Sequence, residues 1–187
     1  LDAYREYAGL SLDDHVELKD FSADGAYFET ENGTNFRLAK FTGDHAQFSN
    51  CVFGDGPMTF YHAKFEVGKA DFQNCRMGSG DANFQYAEFM TQSTNFDGIH
   101  FDTGDVQFIS AKFGKSKVSF RGANFGEGVV DFHYSTFGDG NLTFDKAVFG
   151  GGAVSFKRVD FGHGKVDFKR VHFGNGDIDF SEADFKS

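Results

Sequence analysis

His163, Asp167 and His172 lie close together in the stretch FGHGKVDFKRVHFGNGDIDF, residues 161 to 180. Two imidazoles and a carboxylate are ligand types that hold a divalent transition metal, and an imidazole beside a carboxylate is also the start of a general-base pair. Either chemistry requires the three side chains to converge, so the elements that carry them decide the matter. In the same stretch Phe161, Phe168, Phe173 and Phe180 follow one another at gaps of seven, five and seven.

That count extends along the chain. Phe stands at 36, 48, 60, 72, 84, 96, 108, 120, 132, 144, 156, 168 and 180, and a second series five residues later runs from Phe41 to Phe185 with Met77 as its one exception. The unit is therefore 12 residues, and a fixed period of this kind marks a repeat architecture. Two residues before each Phe sits a small or aliphatic residue, such as Ala70, Val106 or Val166, and in the second series Ala63, Cys75 or Val171. Spacing of two puts both side chains on one face of an extended strand and turns the residue between them outward. Before the first series that outward slot is polar throughout: Gln47, Thr59, Asp71, Asn83, Asn95, Gln107, Ser119, Asp131, Thr143, Ser155, Asp167 and Asp179. Each unit thus supplies two very short strands, joined by a two-residue corner on one side and a four-residue corner on the other. Glycine collects in the longer corner, as in FGDG at 53 to 56 and 137 to 140, where the positive φ of such turns is expected. Strands this short bury nothing alone, so the units must coil and stack.

The triplets Ala-Asp-Phe at 70 to 72 and 183 to 185, Ala-Asn-Phe at 82 to 84 and 123 to 125, and Ala-Glu-Phe at 87 to 89 resemble the pentapeptide-repeat proteins. The resemblance covers residues 36 to 187 and implies an all-β fold, a right-handed parallel β-helix with four sides per coil. The chain departs from the family pattern in that every second pentapeptide is lengthened to seven. Twelve residues per coil would close a two-sided solenoid and 24 a four-sided one. The alternation Ala39, Cys51, Ala63, Cys75, Ala87 in one inward slot favours 24, as does the like-charge contact that a 12-residue coil would force between Lys157-Arg158 and Lys169-Arg170.

On this frame the candidate chemistry dissolves. His163, Asp167 and His172 occupy three different corner and strand slots, so no catalytic, cofactor-binding or metal-binding residue is assigned. Cys51 and Cys75 fill inward slots that Ala fills elsewhere and read as buried thiols, with a bridge between stacked coils as the less favoured alternative. The Gly-x-Gly corners adjoin no helix and no Lys-Ser/Thr pair, so they are turns and not phosphate loops. Glycine-rich calcium repeats need a nine-residue period, and threonine ladders need a uniform outward slot; neither pattern is present. No Ser, His and Asp set stands out from the repeat.

The composition, with 27 Phe, 24 Gly, one Pro and no Trp, suits one domain with a phenylalanine core. The formal net charge of −10 is uneven: residues 1 to 35 hold nine acids and two bases, net −7, which leaves −3 for the other 152 residues. Residues 1 to 35 break the Phe count and read as an acidic capping segment, in which Leu1, Tyr4, Ala8 and Leu12 line one side of a short helix. At the other end FSEADFKS stops in mid-repeat. No run of 18 apolar residues occurs, so no membrane insertion is expected.

The favoured function is a non-enzymatic scaffold that binds a protein partner or associates with itself, through the faces or the uncapped C-terminal coil. A second class comes from the resemblance: some pentapeptide-repeat proteins mimic DNA and inhibit type II topoisomerases such as gyrase. A near-neutral repeat region speaks against that role, because mimicry needs acids along the rod. Direct nucleic-acid binding is not expected of an acidic chain. A carbohydrate-active enzyme is the third class, and it requires a cleft of acids and bases on one face.

Overall fold

The computed structural model describes residues 1–28 and 32–186, with residues 2–4 as backbone only. From Thr34 onward the strand register advances by 24: Thr34 pairs with Met58, Val106 with Val130, and Leu142 with Val166, all in parallel. One coil is therefore 24 residues, five plus seven taken twice, and the two-sided alternative is not the one built. Four walls result. Their inward anchors are the series through Phe72 and Phe96, through Met77 and Phe101, through Phe84 and Phe108, and through Phe89 and Phe113. The walls appear as parallel sheets or as ladders of single bridges such as Arg76 to His100 to Asn124.

Every Phe of both series from Phe36 to Phe161 is buried, as is Met77. Equivalent rings in successive coils stack nearly parallel, Phe84 on Phe108 at 4.7 Å and 4°, and Phe108 on Phe132 at 4.9 Å and 2°. Rings from opposite walls meet edge to face, Phe96 against Phe108 at 5.5 Å and 83°. The rings of the first series from Phe36 to Phe180 thus have stacked partners along the axis and edge partners across it, a geometry worth about 0.5–1.5 kcal/mol per pair beyond the area it buries.

The two kinds of corner use different chemistry. At each two-residue corner a four-residue turn closes with a hydrogen bond such as Ala63 N to Phe60 O, 2.9 Å. The second corner residue lies in the left-handed region, at φ 54° for His62, 58° for Tyr86 and 60° for Tyr134. Of the thirteen residues in this series only Gly98 and Gly122 are glycine. In the four-residue corners Gly126 and Gly138 do have positive φ, as expected, but others are glycine for a different reason. A Cβ on Gly104 would stand 2.2 Å from the carbonyl oxygen of Gly80 in the neighbouring coil. Close stacking of backbones, more than dihedral freedom, selects glycine there.

The first coil is less regular. Val16 pairs with Ala39 and Phe21 with Ala46, so the register slips across a bulge after Lys19. Between residues 39 and 47, and again between 64 and 71, the chain runs through the wide corner as one long strand. The helix Asp2–Ala8 ends at Gly9, which takes the left-handed conformation at φ 66°. Leu12 consequently lies beyond the helix and is exposed; the Tyr4 side chain is outside the described residues. Arg5 is fully buried, and its guanidinium donates to the carbonyls of Asp14 and Arg37 at 3.1 and 2.5 Å, so a buried charge is met by oxygen acceptors.

Candidate binding surfaces

The polar slot between inward residues has a local task. Asn83 Oδ1 accepts the backbone N–H of Gln85 at 2.9 Å, Asp131 that of His133 at 2.8 Å, and Asp179 that of Ser181 at 2.7 Å. Thr59 and Thr143 do the same with their hydroxyls. Short side chains with an acceptor oxygen close a turn onto the N–H two residues on, which is why this slot holds Asn, Asp, Ser and Thr so often. The hydrogen bonds to Ser181 hold the Asp179 carboxyl below the usual carboxylate range.

A second set of acceptors links coils. Asp81 Oδ1 accepts from Asp105 N at 2.9 Å, Asp105 Oδ1 from Val129 N at 2.8 Å, and Glu127 Oε2 from Gly151 N at 2.9 Å. Asp55, Asp81, Asp102, Asp105, Glu127 and Asp177 all belong to the wide corners at 54–57, 78–81, 102–105, 126–129 and 174–177, which contain no Lys or Arg. They form an acidic edge along the solenoid. The diagonally opposite wide corners carry Lys69, Lys115, Lys117 and Lys165.

The residues that first suggested chemistry are dispersed. Asp167 caps the N–H of Lys169 at 2.9 Å, His172 faces outward on the next wall in register with Val148, and His163 sits in a wide corner. Among the described residues no group of three or more His, Cys, Asp or Glu has metal-binding proximity. Cys51 and Cys75 are buried and unbridged, and their thiols donate to Ala23 O at 2.9 Å and Phe48 O at 2.8 Å. The contact with Cys51 and its burial push the Cys75 thiol far above the ordinary range, so it stays protonated.

Two features were not anticipated by reading the repeat. The left-handed corner residues between two walls stack along the axis: His62 lies on Tyr86 at 4.7 Å and 7°, and the Arg158 guanidinium lies 5.4 Å from the Tyr134 ring centroid. With Tyr61, Ile109 and His133 beside them, they make an aromatic corner on which Tyr86 and Tyr134 are 42% and 48% exposed. The signal was present as Tyr61-His62, Tyr86 and His133-Tyr134 at multiples of 12, in slots that vary too much to stand out. The other feature is a pair of shallow grooves. One, of about 310 Å³, runs over Asn95, Ser119 and Thr143 beside Lys69 and Lys117. The other, of about 280 Å³, lies over Phe53 and Met77.

By fold the chain is an all-β parallel solenoid with four walls per coil and 24 residues per coil. Among solved structures it is similar to HetL, a pentapeptide repeat protein involved in heterocyst differentiation regulation from the cyanobacterium Nostoc sp. strain PCC 7120, at 12% identity over 99% of this chain and 93% of that one, with a TM-score of 0.27. It is also similar to QnrB1, a plasmid-mediated fluoroquinolone resistance protein, at 14% identity over 89% of this chain and 87% of that one, with a TM-score of 0.17. No protein-family model and no curated protein matches the chain.

Proposed function

We propose that the protein is a non-enzymatic scaffold that binds a protein partner through its aromatic corner. The observation that carries this reading is the row of exposed His62, Tyr86 and Tyr134, flanked by half-buried Tyr61 and Ile109, on the corners of stacked coils. Elsewhere on the coils most outward polar groups are engaged in closing turns or linking coils. Tyr and other aromatic anchors on a preformed surface bury large area at small entropic cost, which suits protein recognition. The test is quantitative affinity capture with wild type and with a Tyr86→Ala/Tyr134→Ala variant of equal thermal midpoint. A partner retained by wild type and lost by the variant supports the reading; identical retention overturns it.

Self-association through the last coil is part of the same proposal. Ile178, Phe180 and Phe185 are 40%, 37% and 54% exposed, and a further coil, of this chain or of a second copy, would cover them. A Phe185→Glu variant is expected to shift a dimer to monomer in sedimentation. A wild type that stays monomeric at high concentration counts against the contact.

A second reading, mimicry of duplex DNA toward a type II topoisomerase, is favoured by the acidic edge from Asp55 to Asp177. It ranks second because Asp55, Asp81, Asp105 and Glu127 already accept backbone N–H groups of the following coil. The absence of supercoiling inhibition at micromolar protein would remove it.

A further inference from the structure

The aromatic corner is interrupted at one coil. Its left-handed residues form a column, His62, Tyr86, Ser110, Tyr134, Arg158 and Glu182, with φ between 54° and 60°, so the side chains leave equivalent backbone positions in successive coils. Most neighbours in this column touch. His62 lies on Tyr86 at 4.7 Å and 7°, Arg158 donates to the Tyr134 hydroxyl, and Arg158 pairs with Glu182 at 2.8 Å. Ser110 is the exception. Its N–H donates to His133 O at 2.9 Å, but among the described residues its hydroxyl has no hydrogen-bond partner.

The short side chain leaves a slot one coil deep between two rings. Tyr86 and Tyr134 stand two coils apart, roughly 9.6 Å along the axis. His62 covers one face of Tyr86, and the other face looks toward the coil of Ser110. Both tyrosines remain accessible, at 42% and 48%. Half-buried Ile109 lies beside Ser110 on the same corner, and Lys112, on the next wall, is held by Glu88 at 2.9 Å. Inside the solenoid, equivalent rings in successive coils stack at the coil spacing, as Phe84 does on Phe108 at 4.7 Å. A flat ring at the level of Ser110 would stand at that same spacing from Tyr86 on one side and Tyr134 on the other.

We propose that this slot takes one planar aromatic side chain of the protein partner, which lies on the free face of Tyr86, is closed in by Tyr134 and packs on Ile109. The inference rests on the partner-binding reading for the source of the ring, whereas the slot is a property of this chain. A branched aliphatic side chain is thicker than one ring and offers no π-face, so it gains less between two tyrosines. The Ser110 hydroxyl is placed to accept from an indole N–H or a phenol O–H at the ring's edge.

The test uses N-acetyl-L-tryptophan amide as the probe and the ring resonances of Tyr86 and Tyr134 in the full chain as the readout. Saturable shifts of both are expected, and N-acetyl-L-leucine amide should bind at least about tenfold more weakly. Ser110→Phe fills the slot from within, and the tyrosines in the coils on either side show that this left-handed position accepts an aromatic residue. That variant should keep the wild-type thermal midpoint and lose probe binding. No saturable shift up to about 20 mM probe, equal binding of the leucine amide, or undiminished binding by Ser110→Phe overturns the slot. Affinity capture separates the two readings. Ser110→Phe should lose the partner that Tyr86→Ala/Tyr134→Ala loses. A partner kept by Ser110→Phe but lost by the double variant overturns the slot as its anchor and leaves the partner-binding reading standing. Probe binding with no partner captured by wild type overturns that reading, and the source assigned to the ring with it.

Discussion

Asp105 Oδ1 accepts the backbone N–H of Val129, one coil further on, at 2.8 Å. In the wide corners some N–H groups donate to backbone carbonyls of the preceding coil, as Glu127 does to Asp102, and others, Asp105 and Val129 among them, to a side chain there. Asp105→Ala is expected to destabilise by about 0.5–1.5 kcal/mol, the net worth of such a bond at an exposed site, and Asp105→Asn by less because the acceptor oxygen remains. Urea unfolding of the two variants at neutral pH checks the difference. Equal losses would mean that the corner charge, and not the acceptor, is what matters.

Glycine is held at Gly122 and Gly104 for different physical reasons, and alanine separates them. At Gly122 φ is 63° and a Cβ would meet nothing within 4 Å, so Gly122→Ala carries only the left-handed strain, about 1 kcal/mol. At Gly104 the Cβ would lie 2.2 Å from Gly80 O and 2.4 Å from Gly80 C, so the coils must part. Gly104→Ala should cost more than Gly122→Ala by about 1–3 kcal/mol, as overpacking does. Thermal unfolding of both variants decides it, and a smaller loss for Gly104→Ala would contradict the stacking account.

How far the sequence discloses this molecule depends on which slot is read. The inward direction of both Phe series follows from parity, because inward slots admit few residue types, while the 24-residue register was legible only from the Ala39, Cys51, Ala63, Cys75 alternation and the contact a shorter coil would force between Lys157-Arg158 and Lys169-Arg170. The polar slot of Asp131 and Asp179 was legible as outward but not as a turn cap, since an exposed acceptor and a bonded one look alike in sequence. Tyr86 and Tyr134 in left-handed backbone were not legible at all: propensity assigns that conformation to glycine, and here the closing turn imposes it on other residues.

Stability should fall in two stages on acidification. Burial, then Lys64, lowers the pKa of His15, whose Nε2 is enclosed without a partner, so the folded protein disfavours the imidazolium. Its contribution is complete above the unfolded value of about 6.5 and is lost as pH falls from there through the lower folded value. Glu88, held below the usual range by Lys112, and Asp160, held there by Lys186, contribute above about pH 4 and lose that contribution below it. Unfolding midpoints in urea at pH 7.5, 5.5 and 3.5 should fall in that order, and His15→Asn should remove part of the first step, the rest belonging to His62, whose pKa burial also lowers. A midpoint that rises from pH 7.5 to 5.5 would reverse the sign assigned to His15.

Phe108 is the place to ask whether the ladder holds the solenoid together. Its ring stacks on Phe84 and Phe132 and meets Phe96 and Phe120 edge to face, so it touches the coils above and below as well as the opposite wall. Phe108→Ala leaves a cavity that rigid neighbours cannot fill and is expected to cost about 3–5 kcal/mol. Phe180, 37% exposed, has the same slot but a stacked ring on one side alone, Phe156, and Phe180→Ala should cost well under half as much. Because each coil contacts only its neighbours, a weakened Phe108 coil should also divide the unfolding reaction, with the two halves losing amide protection at different denaturant concentrations. Hydrogen exchange followed by mass spectrometry reads this directly. A single cooperative transition for Phe108→Ala, shifted but undivided, would show that coupling along the backbone ladders outweighs the rings.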